Sequence, residues 1–372
     1  MYIDPEQPKE YFYSVLAVVV TLFFSPHIPA AEKPVLNVYN WADYIGPTTL
    51  ADFEKEFGIK VNYDIYDNSE IVDTKLMAGN TGYDVVVHSA GFSARFLDKG
   101  IYQPLDKSKL PNLRYLDPLM MKKYEFFDPG NKYSVPYTWG TTGISYNVDM
   151  IKARMPDAPL DSARFFFDPE IISKFADCGV TILDSPIDVI PMAMIYLGHE
   201  ANSIDPEDLK DVENLLKSIR PYIKYFSSTK MLIDMPNKEI CVAMSWSGDY
   251  TVASVRAEEA GIDIHLDYIV PIEGTYGWFD SAFIPADAPH PDNAHKFINY
   301  LMRPKVIADI TNFTGYANIN LEANRYVDPE YLNNPAVYPD EAVLKRLHPA
   351  KIYPPKQERR RSRTWTRIKT GL

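Results

Sequence analysis

A chain of 372 residues is too long for one ordinary core and falls near the two-domain prior. With 46% hydrophobic and 24% charged residues it is a folded globular protein, which excludes wholesale disorder and the collagen-like and coiled-coil classes. The net charge of -12 excludes nucleic acid as the main partner and points toward cations, while two cysteines exclude a disulfide scaffold and a cysteine-built zinc finger.

Residues 1–31 are expected to be a signal peptide. The eleven-residue run 14–24 (SVLAVVVTLFF) is too short for a stable membrane anchor and has the length of a secretory h-region. Ile28-x-Ala30 offers a cleavage site, and the absence of a cysteine there argues against a lipid anchor. The n-region is atypical, with Lys9 against Asp4, Glu6 and Glu10, so a mis-set start codon or an uncleaved anchor stays open. Setting aside this segment and the basic last seventeen residues leaves 30 bases against 46 acids. Trp365 and Ile368 interleave the basic tail, so it is expected to pack on the acidic body.

The first strand is expected at 35–40 (VLNVYN), followed by the loop WADYIGP. A helix follows, with Leu50, Phe53 and Phe57 on one face and Gly58 as its stop. A strand over 60–66, a helix over 70–78 and a buried-type strand over 83–87 (YDVVV) complete βαβ units on a parallel sheet. In such sheets ligands bind at the carboxyl ends of the strands, where the WADY and HSAGF loops begin. Further along, Asp205 caps a helix over 206–220 with the stripe Leu209, Val212, Leu216 and Ile219. Strands are expected over 238–245, 262–270 and 274–283, and a helix near Asn293. Two α/β lobes joined by crossovers fit this order better than one sheet.

Enzyme motifs are absent: there is no GxGxxG after the first strand, no P-loop, no HExxH and no GxSxG. His290 and His295 alone approach metal-ligand spacing and are expected at the surface. His88, at a strand end, reads as a loop or wall residue. What recurs is an aromatic beside a carboxylate: Trp41, Asp43 and Tyr44; Trp246 and Asp249; Trp278 and Asp280. An alkylammonium ligand needs both, since its methylenes pack on rings and its ammonium needs a countercharge. Each cluster alone reads as core plus turn residues, and sugar platforms also combine aromatics with carboxylates. An exported carbohydrate-active enzyme using two aspartates, and a sensor without a transport role, therefore remain as alternatives. Cys178 and Cys241 are expected to form a disulfide in an oxidising compartment.

At these residues the chain resembles the periplasmic polyamine-binding proteins of bacterial ABC uptake systems, the putrescine- and spermidine-binding receptors. The resemblance is carried by YNWADYI, FEKEFGIKV, KLMAGNTGYDVVV, VPYTWGTTGISYNVD, ICVAMSWSGD, GWFDSAFIPADA and RTWTRIKTG. It implies an α/β, two-lobed type II periplasmic binding protein fold, with lobes over 32–138 plus 257–316 and 139–256 plus 317–372. It also implies a monomeric, non-enzymatic receptor in the periplasm, without cofactor or metal, that binds putrescine or spermidine and delivers it to an inner-membrane ABC permease. The ligand-binding residues carried over are Trp41, Ala42, Asp43, Tyr44, Ser89, Asp188, Ser228, Trp246, Asp249, Trp278, Asp280 and Tyr316. Asp249 and Asp280 are the expected ammonium acceptors. Gly91 and Ser185 are expected to line the region that tunes ligand length. Ala42 stands where relatives carry serine or threonine, and Asp188 where glutamate is common. Trp278 stands where putrescine-preferring relatives carry phenylalanine, which leans toward spermidine.

Overall fold

The computed structural model describes residues 33–67, 69–349, 351, 353 and 355–371; the expected signal peptide lies outside them. Ten strands run through the described residues: β1 Val35–Trp41, β2 Lys60–Tyr66, β3 Val85–Ser89, β4 Ser134–Asn147, β5 Val180–Ile182, β6 Ile223–Phe226, β7 Val242–Trp246, β8 Leu266–Ile269, β9 Thr275–Phe283 and β10 Leu347–Pro349. The main order is β2-β1-β3-β9-β4-β7-β5-β6, with β8 against β4 and β10 against β9. The two wings, β2-β1-β3 and β7-β5-β6, are parallel, whereas β9 and β4 join them through antiparallel pairs. Parallel neighbours need crossovers. Helices Thr49–Phe57 and Ser69–Ala78 supply them in the first wing. Pro186–Tyr196 and Pro206–Ile219 join β5 to β6 in the second.

The helix signals correspond to physical stops and caps. Gly58 ends its helix at φ 65°, a left-handed conformation that costs glycine nothing. Asp205 accepts from the Glu207 amide, and Leu209, Val212, Leu216 and Ile219 are buried beneath it. The C-terminal helix Pro355–Thr370 buries Trp365 and Ile368, and Arg367 and Lys369 pair with Glu213 and Asp184. None of the helices among the described residues is long and apolar enough to cross a membrane.

The histidines correct an expectation. His295 is buried, with Nε2 accepting from the Asp106 amide at 2.9 Å, and His290 pairs with the buried Asp84. They tie loops to the core rather than lying on the surface. His88 is fully buried, Ser93 approaches its Nδ1 at 2.8 Å, and burial holds it neutral with a pKa lowered to about 3.

Cys178 and Cys241 form a disulfide across 63 positions, joining the segment before β5 to the segment before β7. A closed loop of that length restricts the unfolded chain by about 4 kcal/mol in the chain-entropy model. Thermal melts with and without reductant are therefore expected to separate, the reduced protein unfolding first; superimposable curves would mean that the Cys178–Cys241 bridge does not stabilise the fold.

Candidate functional site

Because each wing is parallel, its strands end on the same side, and the antiparallel centre turns the two sets of ends toward each other. β1 delivers Trp41 and the loop Ala42-Asp43-Tyr44, β2 ends on Tyr66 and β3 on Ser89. From the other wing, β7 ends on Trp246, with Asp249 at the start of helix Asp249–Glu259, and Asp188 lies in the first turn of Pro186–Tyr196. β9 crosses between them. Its register sets Asp280 opposite both Ser89 and Thr138, and Trp278 opposite Gly140. Residues 276, 278 and 280 share one face because side chains alternate along a strand.

All twelve residues singled out in the sequence line a single cavity, together with Ser185. Gly91, also expected there, is not among its lining residues. Tyr66, Tyr276, Phe92 and Asp184 line it without having been singled out. Signals could have found two of them: Tyr66 ends a strand as Trp41 does, and Tyr276 keeps the alternation of Trp278 and Asp280.

Three carboxylates in the cavity are buried, and they differ in what already holds them. Asp188 Oδ1 accepts from Thr142 Oγ1 at 2.5 Å and from the Trp246 indole at 3.1 Å, while Oδ2 accepts from Ser185 Oγ at 2.5 Å. With three hydrogen bonds it is the most fully occupied of the three, and it fixes the Trp246 ring. Asp249 Oδ2 accepts from the Trp246 amide at 3.0 Å and Oδ1 from the Tyr316 hydroxyl at 2.9 Å. Asp280 Oδ2 accepts from the Tyr44 hydroxyl at 2.9 Å. Burial raises the pKa of both Asp249 and Asp280 to about 7, and the negative Asp188 adds to each. Burial likewise lifts Tyr44 and Tyr316 well above the usual phenol value, so both remain donors to their carboxylates.

Rings form the walls. Trp41 and Trp246 come from opposite wings with ring centroids 6.4 Å apart, and Tyr316 meets both Trp278 and Tyr44 edge-on at 5.3 Å. The Asp43 carboxylate lies outside this box, half exposed and paired with Arg256 at 2.8 Å. Ala42 contributes backbone only, and its amide is already given to the Tyr66 carbonyl at 3.0 Å. Opposite Trp278 the strand must carry glycine, since a Cβ on Gly140 would sit 2.7 Å from the indole ring and from Ser247 Oγ. Gly140→Ala is expected to displace that ring, costing about 1–3 kcal/mol of stability and weakening ligand binding. Thermal melts and titration check this, and wild-type values in both would mean that the ring has room to move.

The family model of the bacterial extracellular solute-binding proteins matches residues 48–339. The chain belongs to that family. This solute-binding protein is 44% identical over 364 residues to the putrescine-binding periplasmic protein SpuD of Pseudomonas aeruginosa (strain UCBPP-PA14), covering 98% of the chain and 99% of SpuD. To the putrescine-binding periplasmic protein PotF of Escherichia coli (strain K12) it is 46% identical over 344 residues, covering 92% and 93% of the two chains. Among solved structures, a putative spermidine/putrescine ABC transporter from Listeria monocytogenes superposes with a TM-score of 0.82 at 32% identity, covering 91% of this chain and all of that one. The expected fold class, a two-lobed α/β periplasmic binding protein, is thereby established. A solute-binding protein that walls two desolvated carboxylates with indole rings offers its solute apolar sides and two anionic contacts.

Proposed function

We propose that this solute-binding protein binds a linear polyamine, putrescine or spermidine, in the cavity and delivers it to an inner-membrane ABC permease. The observation that carries the reading is the pair Asp249 and Asp280, buried, each held by one tyrosine hydroxyl and set among Trp41, Trp246 and Trp278. Shifts from 3.8 to about 7 mean that each ionised carboxylate is short of on the order of 4 kcal/mol of stabilisation. An alkylammonium supplies it. The methylenes between two ammoniums pack on the rings, and a cation over a ring face adds about 0.5–2 kcal/mol. The polyamine names of SpuD, PotF and the Listeria protein agree with this chemistry.

In this reading residues 1–31 are a leader removed on export to the periplasm, the mature chain acts as a monomer, and no reaction is catalysed. The two wings are the lobes, and β4 and β9 are the strands shared across the hinge. Because β8 pairs with 144–147 of β4, we place the return crossover between 269 and 275 rather than at 257. The test is calorimetric titration of residues 32–372, stripped of carried ligand by unfolding and refolding, with putrescine, cadaverine, spermidine and spermine. Saturable one-to-one heat with at least one is expected. Flat traces for all four on folded protein would overturn the reading.

A further inference from the structure

One residue lining the cavity has a carboxylate that the chain itself occupies. Asp184 lines it beside Ser185 and Asp188, yet its oxygens accept from the Lys369 ammonium at 2.8 and 3.0 Å and from the Trp365 indole at 3.0 Å. Both donors belong to the C-terminal helix Pro355–Thr370. Lys369 is a primary ammonium on a four-carbon stem, the same group that ends a polyamine. The helix is fixed independently of this contact: Trp365 and Ile368 are buried, the Trp365 ring meets Phe226 edge-on at 5.6 Å, and Arg367 pairs with Glu213 at 2.7 Å.

We infer that Lys369 is a specificity-determining residue that disfavours longer polyamines by withholding Asp184 from a third ammonium. This rests on the polyamine reading of the cavity. Asp249 and Asp280 serve two ammoniums, and Asp188 already accepts three hydrogen bonds, from Thr142, Ser185 and Trp246, against two at Asp249 and one at Asp280. The remaining carboxylates on the lining are Asp43, which pairs with Arg256, and Asp67, which is exposed. Asp184 is the next carboxylate along the second wing from Asp188, and a triamine reaching it must displace Lys369.

The proposal does not depend on which polyamine the wild type prefers; it concerns the ratio between a triamine and a diamine. Lys369 and Asp184 are both partly exposed, at 35% and 41%, so the effect belongs to the modest end of ion-pair contributions. Replacing Lys369 with methionine keeps the apolar stem and removes the ammonium. The spermidine-to-putrescine affinity ratio, measured by calorimetry on the mature protein, is expected to rise about fivefold in Lys369→Met. In Lys369→Arg, which retains the charge, it is expected to stay at the wild-type value, and adding Asp184→Asn to Lys369→Met is expected to cancel the gain. An unchanged ratio in Lys369→Met, with wild-type melting, would overturn the proposal, and so would a gain that survives Asp184→Asn. Failure of the wild type to bind any polyamine would instead strike the functional reading itself.

Discussion

In the Asp280→Asn variant, polyamine affinity is expected to fall by about 2 kcal/mol or more, some thirtyfold, while the ligand-free protein becomes more stable at alkaline pH. Both effects have one cause. Asp280 is buried and takes a single strong hydrogen bond, from Tyr44, so its ionised form is incompletely solvated until a cation arrives. Asparagine still accepts from the tyrosine but offers an ammonium neither charge nor a second acceptor of equal strength. In the unfolded chain Asp280 titrates near 3.8, and in the folded, empty protein near 7. Between those values the folded state holds the proton more firmly, so its stability falls as pH rises through that window. Asparagine removes that loss. Melting temperatures of wild type and variant are therefore expected to differ more at pH 8 than at pH 5. A variant with wild-type affinity would remove Asp280 from the site. A variant destabilised at both pH values would show that the carboxylate supports the fold rather than the ligand.

Acidification is expected to release the ligand. The amines of a polyamine resemble lysine and stay protonated well above neutrality. The groups that titrate near the operating pH are instead Asp249 and Asp280, each at about 7 in the empty protein. Facing Asp249 are the Trp246 amide, the Tyr316 hydroxyl, Asp188 and, further off, Arg256; facing Asp280 are Tyr44, Trp41 and Asp188. A bound ammonium favours the ionised form, so each carboxylate loses its proton as the ligand enters. Below pH 7 affinity is therefore expected to fall by up to tenfold per pH unit for each carboxylate, approaching a hundredfold for the pair. Above pH 8 it should level off. Calorimetry near pH 6.5 in buffers of different ionisation enthalpy should show net proton release. In Asp280→Asn the slope should drop by about half. A flat profile between pH 5.5 and 8 would mean that the two carboxylates are ionised before the ligand arrives, and that Tyr44, Tyr316 and the backbone solvate them well enough without it.

Much of the outer architecture was legible because its signals are local. Gly58 marked a helix end, Asp205 marked a helix start, and the run YDVVV read as a buried strand. The central strand was not legible. Ser134–Asn147 is buried along all fourteen residues, yet SVPYTWGTTGISYN carries proline, two glycines and five hydroxyl residues of serine and threonine. Its composition answers to neighbours far away in sequence: Gly140 and Gly143 make room for Trp278 and Tyr268, and Thr138 and Thr142 bond to Tyr44 and Asp188. The histidines were misplaced for the same reason, since His290 and His295 find their partners, Asp84 and Asp106, about two hundred residues away.

The sequence by itself determined the first wing and the seven aromatic and carboxylate residues of the three clusters, because alternation, caps and aromatic–carboxylate pairs act over a few residues. The other five of the twelve site residues came with the family resemblance, and β5 and β6 were not expected. Only the tertiary structure decided what each carboxylate can do. Asp188, Asp184, Asp249 and Asp280 are the same residue type, but the first already accepts from three neutral donors and the second is held by a lysine of the C-terminal helix. The other two are buried with acceptor capacity left over. A carboxylate's readiness for a cation depends on the donors within about 3 Å and on the water removed around it. Both are set by strands and helices that lie far apart in sequence and meet only in the folded chain.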